Sequence, residues 1–161
     1  MPRKLSKSER EAFLRGRHVA VLSTIGPAGQ PVLTPIWYLY RDGRILMRTG
    51  AQAIKTLNIS RDTRVTICVQ DERAPYKSVT IYGKASIESH RPGLGPTIAR
   101  HYLGALGGAV YMQAARGAIE ESDEVTLIVT PERFVTQDFS PETPLIGRVW
   151  LVMKRILPPW L

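Results

Sequence analysis

Ile45-Leu46-Met47-Arg48-Thr49-Gly50-Ala51-Gln52-Ala53-Ile54-Lys55-Thr56-Leu57-Asn58 reads as a strand that breaks at Gly50 and resumes as a short helix. That change of period gathers Arg48, Thr49 and Lys55 near one strand-to-helix junction. The free N–H groups of a first helical turn point outward there, and the helix dipole adds partial positive charge. Two cations, a hydroxyl and those amides form a cradle suited to phosphate. The Gly-rich spacing of a P-loop is missing. The plainer reading of the same residues is a surface turn with solvated cations.

Outward from this junction the chain is β-rich. Ser6 and Glu9 have capping-box form ahead of a helix from about Lys7 to Arg15, stopped by Gly16. Val19–Thr24 is a short apolar run suited to a buried strand, and Gly26–Gly29 turns the chain into a second strand, Val32–Tyr40. Pro35 lies inside that strand, so a bulge or an edge is expected there. Asp42-Gly43 is a hairpin signal, which makes the opening strands an antiparallel meander.

Val65–Val69 and Ser78–Ile87 follow as strands, with a bend expected at Gly83. Thr97–Leu103 and Val110–Ile119 read as helices around the glycine-rich Gly104–Gly108. Glu124–Thr130 is a strand halted by Pro131, and Phe134–Thr136 a last short one. Strands joined by tight turns with helices between them predict a mainly β, α+β fold: a small antiparallel barrel with helical caps.

The chain has 161 residues, enough for one domain with a core, and 43% hydrophobic content. Residues 1–139 are expected to form that domain. Residues 140–161 are expected to form a closing helix on the core or a partner subunit, the alternative being a basic amphipathic helix that touches membrane. No run is long enough to span a bilayer, the N-terminus carries no secretory signal, and a single cysteine, Cys68, forms no internal disulfide. A cytoplasmic setting is expected. Lys and Arg number 22 against 14 acidic residues, a net charge of +8 that favours anionic partners. No RNA or DNA motif accompanies the charge, so nucleic acid is not expected. His18, His90 and His101 are scattered and make no metal cluster, and no nucleophile elbow or paired-carboxylate motif stands out. Catalytic residues stay unassigned. Tyr76 and Tyr38 are candidate proton donors, with packing as the plainer role for each.

The ordered series Val19–Thr24, Gly29-Gln30-Pro31, Thr34-Pro35-Ile36-Trp37, Asp42-Gly43, Thr49, Lys55, Asn58, Arg61-Asp62, Arg64-Val65 and Gly83 resembles the pyridoxamine-phosphate-oxidase-like split β-barrel superfamily. In particular it resembles the branch of flavin- and deazaflavin-dependent oxidoreductases. The resemblance covers roughly residues 7–138. It implies a homodimer with cofactors at the subunit interface, Lys55 on the cofactor phosphate, and Arg48 and Thr49 at the strand end that meets it. It further implies Pro35, Ile36 and Trp37 beside the ring, and Pro75, Tyr76 and Lys77 in a loop reaching the cofactor from the partner subunit. Asn58, Arg61 and Arg64 match as well, with structural roles as the alternative.

Trp150 is followed by Leu151-Val152-Met153, which does not reproduce the tryptophan-and-arginine signature that grips a pyridoxal substrate; vitamin B6 chemistry is therefore not expected. The resemblance implies coenzyme F420, whose phosphodiester and acidic tail suit the basic charge, with FMN as the alternative. The implied activity is hydride transfer to an electron-poor small molecule such as a quinone or enone. The alternatives are an FMN-dependent oxidoreductase or a non-catalytic flavin or haem carrier. Substrate pockets in the superfamily come from variable loops, here Arg91–Leu106 and the tail.

Overall fold

The computed structural model describes residues 2–115 and 123–140. Helix α1 (Lys7–Leu14) opens with the expected capping box: the Ser6 hydroxyl accepts from the Glu9 N–H, and the Glu9 carboxylate accepts from the Ser6 N–H at 2.8 Å. Strands β1 (Ala20–Ile25) and β2 (Pro31–Ile36) form a hairpin. A second hairpin, β3 (Leu39–Arg41) with β4 (Arg44–Gly50), turns at Asp42 and Gly43, both at positive φ. Helix α2 (Ile54–Arg61) follows, then β5 (Arg64–Asp71), β6 (Lys77–Ser89), α3 (Leu94–Ala114) and β7 (Glu124–Asp138).

All seven strands belong to one antiparallel sheet in the order β2-β1-β5-β6-β7-β4-β3. The edge strands β2 and β3 are joined by Trp37-Tyr38 alone. In a flat sheet those edges would stand roughly 29 Å apart, at about 4.8 Å per strand. The chain from Ile36 to Leu39 spans at most about 11 Å. The sheet therefore curls until its edges meet, and Tyr38, 1% exposed, is sealed in the closure.

Gly83 and Pro131 set the curl. The β6–β7 register shifts at Tyr82/Gly83, where Gly83 lies opposite Pro131. A Cβ on Gly83 would stand 2.3 Å from the Thr130 carbonyl oxygen. β5 pairs with β6 from Lys77 to Lys84, and β4 pairs with β7 from Glu124 to Val129. The long β6–β7 ribbon thus belongs to one half-sheet on each side of the bend, which is the split of a split barrel. Inside lie Leu22, Ile45, Met47, Ile67, Ile81 and Leu127, each fully buried.

Two expectations are corrected. Val32–Tyr40 is two strands in different halves of the barrel, because the chain must cross between edges at Trp37-Tyr38; the opening strands are two hairpins, not a meander. Pro131 does not halt β7, because its missing N–H falls at the bulge where the ladder is already interrupted; β7 runs on through Phe134–Thr136. The two helices expected around the glycines are present within the α3 span and break at Gly104, which takes φ 78° and ψ 178°; the first begins earlier than expected, at Leu94, and helix resumes directly after Gly104. Residues 116–119 of the second helix and residues 141–161 of the tail lie outside the described residues.

Candidate functional site

One cavity, about 450 Å³, opens where the two half-sheets meet α3. Pro35 and Ile36 of β2 supply one wall, with Trp37 from the crossing and Val19 ahead of β1. Arg48 and Thr49 of β4 face them. Gly95, Ile98, Ala99 and Tyr111 of α3 form a third side. The walls are mostly hydrocarbon and aromatic, and a few polar groups are set at one side, as in sites that hold a planar organic ligand.

Packing fixes the aromatic wall. Trp37 stacks on Tyr102 with centroids 4.9 Å apart and rings 7° from parallel. It also meets Tyr111 at 5.4 Å and 51°. The Tyr102 hydroxyl donates to the His18 carbonyl at 2.7 Å and accepts from the Tyr38 N–H at 3.2 Å. One phenol thereby ties α3 to the segment leading into β1 and to the crossing between edge strands. Burial pushes the Tyr102 phenol's pKa up, so it stays a neutral donor.

The polar side is organised by a residue that no sequence motif marked. Arg48 engages both oxygens of Glu124 through Nε and Nη2, and Glu124 is 3% exposed. His90 Nδ1 stands 3.2 Å from the same carboxylate. Gly95 permits this arrangement, since a Cβ there would come within 2.9 Å of Arg48 Cδ. Arg48 therefore lines the cavity as half of an ion pair. Across the β4–β7 ladder Arg48 pairs with Thr126 and Gly50 with Glu124, which makes Arg48 and Glu124 diagonal neighbours. That relationship follows from register, which the sequence alone leaves open.

Lys55 lies in the first turn of α2, half-buried. Burial lowers its pKa, and it has no ion-pair partner among the described residues. The helix start beside it has Ala53 as N-cap and no capping side chain, so its first-turn amides also lack a side-chain acceptor. The helix is anchored elsewhere. Thr56 Oγ1 donates to the Gly50 carbonyl at 2.8 Å, and Asn58 Nδ2 donates to Thr24 Oγ1 at 2.9 Å. Arg61 donates to the Ile25 carbonyl at 2.9 Å and to Asn58 Oδ1 at 3.0 Å.

The sequence-derived residues thus fall into three groups. Arg48, Thr49, Pro35, Ile36 and Trp37 meet in the cavity. Lys55 lies on α2 and is not part of the cavity wall, and Asn58, Arg61 and Arg64 are engaged in holding α2 and its exit, Arg64 gripping Asp62 at 2.6 Å. Pro75, Tyr76 and Lys77 sit at the β5–β6 connection, away from this chain's own cavity wall; Tyr76 is 58% exposed, and Lys77 reaches Asp138 at 3.9 Å. Tyr38 faces the core and not the cavity. The sequence reading missed Glu124, Tyr102 and Tyr111. Among the described residues no cluster of His, Cys, Asp and Glu is arranged to hold a metal.

A barrel split at a glycine–proline bulge, with a cavity between its half-sheets and a cationic helix start nearby, defines the class. The chain belongs to the pyridoxamine 5'-phosphate oxidase family, whose model matches residues 6–137. No curated protein matches its sequence significantly. Among solved structures it resembles the conserved hypothetical protein Rv2991 of Mycobacterium tuberculosis, at 26% identity and TM-score 0.71 over 84% of this chain and 86% of that one. It shares its fold with an F420 reductase, at 22% identity and TM-score 0.57 over 78% and 94% of the two chains. It also shares it with an FAD-binding protein of Mesorhizobium loti, at 18% identity and TM-score 0.62 over 86% and 96%.

Proposed function

We propose that this protein is an oxidoreductase that binds reduced coenzyme F420 and delivers a hydride to an electron-poor small molecule such as a quinone or enone. The observation that carries the reading is the apolar cavity bounded by Pro35–Trp37 and Arg48–Thr49, with the half-buried ammonium of Lys55 on the helix that follows β4. These residues fit a phosphorylated ring: hydrocarbon and indole for its faces, and a cation without a described partner for its phosphate. The bound ring would supply the hydride, leaving the chain to bind, orient and exclude water.

In this reading Lys55 and the uncapped amides of α2 hold the phosphate. The Pro35–Trp37 backbone sets the height of the ring. Thr49, 7% exposed, offers a hydroxyl at the cavity wall. Arg48, fixed by Glu124, acts as a rigid wall with Nη1 not engaged by that carboxylate. Ile98, Ala99 and Tyr111 bound the space for the acceptor, whose uptake of one hydride and one proton balances oxidation of the cofactor.

The reading includes a homodimer, in which the Pro75–Lys77 loop of a second copy completes the site. Exposed Tyr76, Ile54 (67%) and Leu57 (47%) provide apolar surface for that contact. FMN is the alternative occupant, since the same lysine and the same walls suit its phosphate and ring. Absorbance and fluorescence spectra after incubation with each cofactor test the choice. Steady oxidation of the reduced cofactor on adding a quinone is expected of an enzyme. A bound cofactor that no acceptor oxidises would make the protein a carrier.

A further inference from the structure

The β3–β4 hairpin places charge where folding alone would avoid it. Arg41 and Arg44 are direct register partners flanking the Asp42-Gly43 turn. Directly opposed residues of an antiparallel pair share a face with Cβ atoms about 5 Å apart, so two guanidiniums there repel. Neither has an ion-pair partner among the described residues, whereas Arg3, Arg15, Arg48, Arg64, Arg73 and Arg91 each have one.

Two adjoining cavities of about 520 and 260 Å³ lie against this pair and share Arg41, Leu46 and Arg91. Arg91 is steadied by Glu88 at 2.5 Å, and Asp42 is the carboxylate that lines the larger cavity. Leu39, Leu46 and Ile128 form one cross-strand row beneath, since Leu39 pairs with Leu46 and Leu46 with Ile128. The start of α3 closes the far side at Gly93, Leu94 and Thr97; the Thr97 hydroxyl is already donated to the Gly93 carbonyl at 2.7 Å. None of these residues lines the cavity between the half-sheets.

We propose that this is a second binding site, for a small organic phosphate monoester with an apolar body. Its doubly charged headgroup lies among Arg41, Arg44 and Arg91, and its body rests on the Leu39–Leu46–Ile128 row. The apolar row is what distinguishes the site from a patch of solvated arginines: inorganic phosphate satisfies the cations and makes no contact with the partly exposed Leu39 and Leu46, which lie over the buried Ile128.

Calorimetric titration at constant ionic strength tests this, with phenyl phosphate as the probe and inorganic phosphate as the bare headgroup. Phenyl phosphate is expected to bind at least tenfold more tightly than inorganic phosphate. The Arg41→Gln/Arg44→Gln variant is expected to lose at least tenfold in phenyl phosphate affinity. Without ligand that variant should melt no lower than the wild type, because it sheds a repulsion. Equal affinity for the two probes, unchanged affinity in the variant, or a variant that melts well below the wild type each overturns the proposal. The last outcome would make the arginines part of the fold. Binding confined to anionic vesicles or single-stranded DNA overturns it too.

Discussion

Arg48 and Glu124, 76 residues apart in the chain, meet as a forked ion pair at the wall of the cavity between the half-sheets. Removing the charge from one partner strands the other in a site where water reaches it poorly. Glu124→Gln should therefore destabilise the protein by roughly 2–4 kcal/mol, below the range for a wholly buried pair because the Arg48 side chain is 23% exposed. Urea unfolding measures this, and a loss under about 0.5 kcal/mol would show the pair to be incidental.

Tyr102 joins three segments through one hydroxyl. Tyr102→Phe keeps the stack on Trp37 but leaves the Tyr38 N–H without its acceptor. A loss of about 1–3 kcal/mol is expected, with the near-ultraviolet signal of Trp37 largely retained. Full stability in this variant would mean that the Tyr38 amide finds another partner.

The bulge is equally specific. Gly83→Ala drives a methyl group to 2.3 Å from the Thr130 carbonyl oxygen, a contact that backbone must relieve. A cost of about 1–3 kcal/mol is expected, from forced shifts in a packed ladder. An alanine variant as stable as the wild type would contradict the close approach that defines the split.

Acid should loosen the anchoring of the N-terminus. The Arg3 hydrogen bonds, then those from Ser6, hold the Glu9 carboxyl down at about 2. Burial pushes Asp138 up, but hydrogen bonds from Ser140 and Arg3 and the charge of Lys77 pull it below the usual carboxylate range. Both carboxylates titrate lower when folded than when unfolded, so their stabilisation is complete above about pH 4.5. It disappears as the pH falls toward 2. Stability profiles of wild type and Arg3→Ala should converge toward pH 2 and separate above pH 4.5; a constant difference across that range would exclude the linkage.

Much of the barrel was legible because its cues are local. The Ser6–Glu9 box and the Asp42-Gly43 turn each act through neighbours in sequence, and a glycine inside a strand run marks a bend whatever strand lies opposite. Misreadings arose where distant strands decide the outcome. Trp37-Tyr38 continues a β pattern, and closure of the sheet alone makes it a crossing. Pro131 is a breaker except opposite a bulge made by a glycine on another strand. The same division runs through the site. Pro35–Trp37 and Arg48–Thr49 come from contiguous stretches, while Glu124, Tyr102 and Tyr111 join them through register and the path of α3.

Lys55 carries the functional claim, and its protonation offers a direct check. Burial lowers its pKa in the ligand-free protein, and a bound phosphate would draw it back up. The most direct measurement is fluorescence titration of wild type and Lys55→Ala with coenzyme F420 and with FMN, repeated from neutral to alkaline pH. The account predicts saturable wild-type binding of at least one cofactor, weakening as Lys55 loses its proton. It also predicts a roughly 10- to 100-fold loss in the alanine variant, about 1.4–2.8 kcal/mol for a charge-assisted contact. Wild-type protein that binds neither cofactor, or a variant that binds as tightly as the wild type, would contradict it.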